Sequence, residues 1–136
     1  MAKMILRDAF VSINAVDLSL HVKEVEVSWD VSIEDVTTMG ASGKQKLAGI
    51  EDDNFSITWL QDYAAAKVDA TIAPLIRAAA FAFEIRPTTA AVSATNPKFT
   101  GNALLASYQP VAGSVGSAHE VSSDFEVDGV ITRATA

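Results

Sequence analysis

The sequence predicts a mainly β protein: an antiparallel β-sandwich or partly open barrel with one short flanking α-helix and a long β-hairpin loop. Three observations predict it. Glu24 to Glu34 and Glu120 to Asp128 alternate apolar and polar residues with period two, as half-buried strands do. Only residues 62–77 space their apolar residues like a helix,. The connections are short and rich in turn residues, which favours antiparallel neighbours. A chain of 136 residues suits one domain with one core,. Residues 1–136 therefore read as a single unit, with 1–8 as an N-terminal arm.

In chain order, residues 9–19 read as a short strand, a turn near Asn14 and a second short strand. Next, Val25, Val27, Trp29, Val31 and Ile33 alternate with Glu24, Glu26, Ser28, Asp30, Ser32 and Glu34, so one face is apolar and the other acidic. Phe55, Ile57 and Trp59 then alternate with Asn54, Ser56 and Thr58. This strand is expected to pair antiparallel with the previous one, making a long hairpin. Between them, residues 34–53 show no period and contain Gly40, Gly43 and Gly49. A structureless loop of about 20 residues is uncommon in a compact domain, and is usually functional or disordered. Val36, Met39, Leu47 and Ile50 sit among its polar residues, where a lone copy has trouble burying them. The segment reads either as a mobile surface loop or as an arm that orders on a neighbouring copy.

Val68, Ile72, Leu75 and Ile76 fall at helical spacing, with Asp62 or Asp69 as candidate caps,. Pro74 is awkward in a helix interior, so a short or kinked helix of about two to three turns is expected. Residues 80–86 place Phe81, Phe83 and Ile85 on one strand face, and 87–97 form a turn-rich connection. Residues 98–108 form a strand in which Gly101 suggests a bulge or a close backbone approach. A loop over 109–118 precedes the second acidic alternation. There Val121, Ser123, Phe125 and Val127 oppose Glu120, Ser122, Asp124, Glu126 and Asp128. Gly129 turns the chain into a last short strand.

The composition narrows the function. A net charge of −7 makes the chain a poor nucleic-acid grip, because binding needs Lys and Arg to replace counterions. The absence of cysteine excludes disulfides, thiolate metal sites and a cysteine nucleophile,. A hydrophobic content of 49% implies either an unusually greasy surface or a surface partly buried against other chains. No apolar run approaches the ~18 residues of a membrane span, and no signal segment is evident, so synthesis in a cytoplasm without export is expected. Two histidines are too few for most zinc sites,. The acidic pairs Glu34-Asp35 and Glu51-Asp52-Asp53 fit no calcium-loop spacing. Gly113-Ser-Val-Gly116 lacks the Lys-Ser/Thr and helix of a phosphate-binding loop. No catalytic, cofactor-binding or metal residue is therefore assigned, and the chain reads as a non-enzyme without cofactors. The acidic strand faces have two readings: a polar face turned to water, or the wall of a lumen through which a polyanion passes without sticking. A rival function is a sandwich that binds carbohydrate or a host surface. Such modules display exposed aromatics, whereas Trp29, Trp59, Phe55, Phe81 and Phe125 are all in phase with the apolar faces.

Several fragments, in order, give a family resemblance. They are Val16-Asp-Leu-Ser19 with His21-Val22, Thr38-Met-Gly40, Leu47-Ala-Gly49, Gln61-Asp-Tyr63 and Val68-Asp-Ala-Thr71. Arg86-Pro-Thr88, Asn96-Pro-Lys-Phe-Thr-Gly101, Ser107-Tyr108, Gly113-Ser-Val-Gly116 and Thr132-Arg133 follow. From about Ala9 to the C-terminus the chain resembles the major tail proteins, or tail tube proteins, of long-tailed bacteriophages with non-contractile tails. Asn14-Ala15 departs from the family's frequent Asn-Gly, which bears on the first turn. The resemblance implies a β-sandwich or barrel with a flanking helix, assembled into hexameric rings that stack into a tube. It implies a virion location after synthesis in a host cytoplasm, and DNA passing through the lumen without specific binding. Partners would be other copies of the chain, a tape measure protein, and tail terminator and distal tail proteins, with no membrane. In this frame Val36, Met39, Lys44, Lys46, Leu47 and Ile50 are the candidate inter-subunit residues of the loop. Glu24, Glu26, Asp30, Glu120, Asp124 and Glu126 are the candidate lumen residues.

Overall fold

A computed structural model describes residues 3–136; the first two residues of the expected 1–8 arm lie outside them. Ten strands run in the order β1 (Phe10–Ile13), β2 (Val16–Asp17), β3 (Val22–Ser28), β4 (Val31–Asp35), β5 (Lys46–Glu51), β6 (Asn54–Leu60), β7 (Phe81–Arg86), β8 (Lys98–Tyr108), β9 (Glu120–Val127) and β10 (Thr132–Ala134). Eight of them form one antiparallel sheet, ordered β2-β1-β7-β8-β9-β6-β3, with β10 also paired to β8. β4 and β5 form a separate two-stranded hairpin. The two end strands, β2 and β3, do not pair, so the sheet is not a closed barrel. It curls over its own apolar face instead. Val25 and Val27 at the β3 end line one groove with Ile85 of β7 and Phe99 of β8. The architecture is an open β-sandwich with a short helix.

The alternation read from the sequence sets the core. Register pairs Phe55 with Phe125, Ile57 with Ser123, and Trp59 with Val121, and all six are buried. Phe55 stacks on Phe125 with ring centroids 4.6 Å apart and meets Phe83 at 4.5 Å. Trp59 satisfies its buried indole N–H by donating to Ser123 Oγ at 2.8 Å, which explains the one hydroxyl on an otherwise apolar strand face. A Cβ at Gly101 would lie 3.1 Å from the Val130 carbonyl and 3.2 Å from the Phe83 ring. The glycine therefore marks a close approach, and the irregularity in β8 falls later, between Leu105 and Ser107.

The turn between β1 and β2 has positive φ at both central residues, 50° at Asn14 and 66° at Ala15. That is the two-residue turn whose twist suits antiparallel strands. Asparagine tolerates this region and alanine does not, because its Cβ crowds the following carbonyl. Ala15→Gly is expected to stabilise the domain by about 0.5–1 kcal/mol, the relief of Cβ strain less glycine's extra chain entropy. Thermal melts of the two proteins check it.

Two expectations need correction. Residues 34–53 are not structureless, since β5 occupies Lys46–Glu51 and pairs with β4. The helix does not span 62–77. It is α1 (Val68–Ile72), continued by a 3₁₀ turn over Ala73–Leu75. Pro74 lies in that turn, where the tighter bonding avoids the clash that a proline ring makes inside an α-helix. Val68, Ile72 and Leu75 still pack into the core.

Candidate assembly surfaces

Strand register decides where the acidic residues point. On the face opposite the core, Glu24 lies beside Thr58, and Thr58 beside Ser122. Glu26 lies beside Ser56, and Ser56 beside Asp124; Ser28 and Asn54 lead to Glu126 in the same way. Glu120 continues the row next to Leu60. Five of the six candidates thus share one sheet face. The neutral β6 side chains hold the β3 and β9 carboxylates two strand spacings apart, about 10 Å. That is near the screening length in physiological salt, so the repulsion is tolerable. Lys23 pairs with Glu120, and Ser107 Oγ donates to Asp124 at 3.0 Å. Among the described residues no lysine or arginine pairs with Glu24, Glu26, Asp124 or Glu126. Asp30 keeps the phase of Glu24 and Glu26 along the chain but lies past the end of β3, outside the eight-stranded sheet.

The β4–β5 hairpin is the second surface. Every residue from 31 to 50 is exposed. Ile33 faces Ala48, Glu34 faces Leu47, and Asp35 faces Lys46. Beyond the ladder, Val36 N–H donates to the Gln45 carbonyl at 2.9 Å, and Gln45 N–H donates to Thr37 Oγ1 at 2.7 Å. Met39 is as exposed as in an open chain, at 103%, and Ile50 is 84% exposed. Lys44 lies 3.5 Å from Asp35 of its own hairpin, while Lys46 sits opposite the same residue. A two-stranded ribbon with both faces in water is marginal by itself, and this one leaves large apolar side chains exposed.

Other features were not legible in the sequence. Trp29, in phase with the core, is instead 49% exposed. With Leu6, Val25, Val27, Ile85 and Phe99 it lines an open apolar groove of about 350 Å³, and it meets Phe99 edge-on at 6.2 Å. A polar network also ties the loop after β8 to the helix. Tyr108 Oη donates to Asp69 Oδ1 at 2.9 Å and accepts from Gln61 Nε2 at 2.8 Å. Gln61 and Tyr63 both donate to the Pro110 carbonyl, at 2.9 and 2.7 Å. Burial pushes the Tyr108 phenol up from its ordinary 10 to about 12. The folded chain therefore holds this proton more tightly than the unfolded chain. The associated stability is intact below pH 10 and is lost as pH rises toward 12,. Tyr108→Phe is expected to flatten the fall in melting temperature over that alkaline range, read against wild type under the same conditions.

Among the described residues no group of three or more His, Cys, Asp or Glu side chains is placed to hold a metal ion, and no helix is long and apolar enough to cross a membrane. No protein-family profile matches the sequence, and no curated protein matches it. Solved structures do match its fold. The chain is similar to one in the virion of a native gene transfer agent particle, with a TM-score of 0.78 and 12% identity over 97% of this chain and 99% of that one. It is similar to a chain in the tail of an empty gene transfer agent particle of C6 symmetry, with a TM-score of 0.74 and 14% identity over 98% of this chain and 100% of that one. A chain in the sheath/tube terminator of the extracellular contractile injection system PVC gives 0.74 and 11% identity, over 98% of this chain and 97% of that one. The chain shares its fold with these three chains along nearly their whole length.

Proposed function

We propose that this protein is a structural, self-assembling subunit of a phage-like tail tube, with no catalytic role. Copies form hexameric rings, the rings stack, and the tube conducts DNA through a lumen walled by Glu24, Glu26, Glu120, Asp124 and Glu126. The observation that carries this reading is the near full-length fold likeness to a chain of a C6-symmetric tail. Three features of the chain support it. The strands β2 and β3 leave open sheet edges, which ring closure would use up. The exposed hairpin carries Val36, Met39, Leu47 and Ile50, all of them exposed and Met39 and Ile50 almost fully so. One sheet face concentrates carboxylates, which repel a polyanion and keep it from adhering. The resulting location is the virion, with a tape measure protein and terminal tail proteins as further partners.

A second reading, a ring that terminates the tube, is favoured by the likeness to chains in the PVC terminator and in the anti-feeding prophage tube cap, both at a TM-score of 0.74. The carbohydrate-binding reading loses ground, because Trp59, Phe55, Phe81 and Phe125 are buried, and among the described residues only Trp29 and Tyr63 remain as exposed aromatics. Electron microscopy of the purified protein tests all three. Stacked sixfold rings of variable length support the tube subunit. Single rings that do not stack support the terminator. Monomers that bind glycans would sink both.

A further inference from the structure

The hairpin does not leave the body as a free flap. β3 and β4 interrupt one ribbon whose register is kept: Ser28 faces Asn54 on one side of the break and Val31 faces Glu51 on the other. At the break, Asp53 takes a position in phase with the core residues Phe55 and Ile57, and it is wholly buried. A carboxylate out of reach of water needs partners for its oxygens. Asp53 Oδ1 accepts from Asp30 N–H at 3.0 Å, and Oδ2 accepts from Ile131 N–H at 3.3 Å. The Asp53 carbonyl accepts from Val127 N–H at 3.0 Å. Nearby, Asp53 holds the Glu51 carboxyl above its ordinary range,. Among the described residues no lysine, arginine or histidine pairs with Asp53. Its hydrogen-bond donors come from three segments: the arm's root at Asp30, the end of β9 at Val127, and the link from β9 to β10 at Ile131.

We propose that Asp53 couples the hairpin arm to the C-terminal strand, so that the arm's direction and the docking of β10 form one cooperative unit. The coupling follows from the carboxylate's two ends. If the 131–134 segment lifts away, Oδ2 is left buried without a donor and the whole group becomes harder to hold in place. The bond to Asp30 at the arm's root then weakens with it. The same holds in reverse when the root opens. Asp53 is thus a positioning residue for the arm, whatever the arm docks on.

Native-state hydrogen exchange on the full chain tests this, with Asp53→Ala, Ile131→Ala and the double variant. Ile131 is a buried side chain of the C-terminal link, so its truncation loosens that link without touching the arm. Coupling predicts that Ile131→Ala speeds exchange of the Asp30 and Asp52 amides by roughly tenfold, while the Ile57 and Ser123 amides keep their wild-type rates. It also predicts that the double variant exchanges at the root little faster than Asp53→Ala alone. Unchanged root amides in Ile131→Ala would overturn the proposal, as would effects that simply add. If Asp53→Ala does not fold, the Ile131→Ala result alone decides.

Discussion

A chain lacking residues 38–46 is expected to fold and to remain unassembled. The deletion removes the hairpin tip and the first residue of β5. No residue from 31 to 50 belongs to the buried core, so the body loses no packing and its melting temperature should move by no more than about 2–4 °C, the range of a surface change. The loss of assembly should be complete by comparison. The deletion takes away Met39, the most exposed large apolar side chain of the arm, together with Lys44 and Lys46, and shortens the ribbon that presents Leu47 and Ile50. Burying side chains of this kind contributes about 1.5–3 kcal/mol each. Repeated at every subunit contact, that loss is large against the net free energy of an ordinary interface. Circular dichroism and sedimentation on the same sample separate the two effects. Tubes of normal length from the shortened chain would reject the arm as an assembly element.

Reversing charge on the sheet face should have the opposite profile. Glu24→Lys, Glu26→Lys and Asp124→Lys together change side chains that are exposed and carry no lysine or arginine partner. The fold and the rings are expected to survive. DNA passing along the tube would then meet three new cations per subunit. Each is a site for phosphate neutralisation with counterion release, and the effect multiplies around a ring. Transfer of DNA is expected to fall by roughly tenfold or more at low ionic strength and to recover as salt rises, because such contacts are screened. Counting transfer events against salt for variant and wild-type particles measures it. Equal transfer at every salt concentration would take these residues off the lumen wall. Asp30 is left out of the set, since it lies at the arm's root rather than on the sheet.

The acidic face was legible because a one-sided strand prints its two faces as alternation, and register then brought β3, β6 and β9 into phase. The same logic explains what stayed hidden. β5, Lys-Leu-Ala-Gly-Ile-Glu, belongs to a ribbon exposed on both sides, so no core face imposes a period on it, and it read as loop. The break at Trp29–Asp30 left no mark either, because Val25, Val27, Trp29, Val31 and Ile33 continue in one phase across it. What sits at the break is Asp53, 23 positions further along, and a tertiary hydrogen bond of that kind is invisible to local pattern. The helix is shorter than 62–77 at both ends: α1 begins only at Val68, and the apolar spacing extends past Pro74 while the α-helical bonding stops at Ile72. The stranded apolar residues of the hairpin were visible from composition alone, and the structure leaves them in water.

The central claim is that this arm is completed by sister copies. The chain contains no cysteine, so Met39→Cys places a single thiol at the hairpin's most exposed point. Maleimide labelling of that thiol before and after assembly measures its cover directly. The account predicts rapid labelling in the dissociated subunit and strong protection in assembled rings or tubes, reversed when the assembly is taken apart. A thiol that labels equally fast in both states, or one already protected in a solitary subunit, would contradict it.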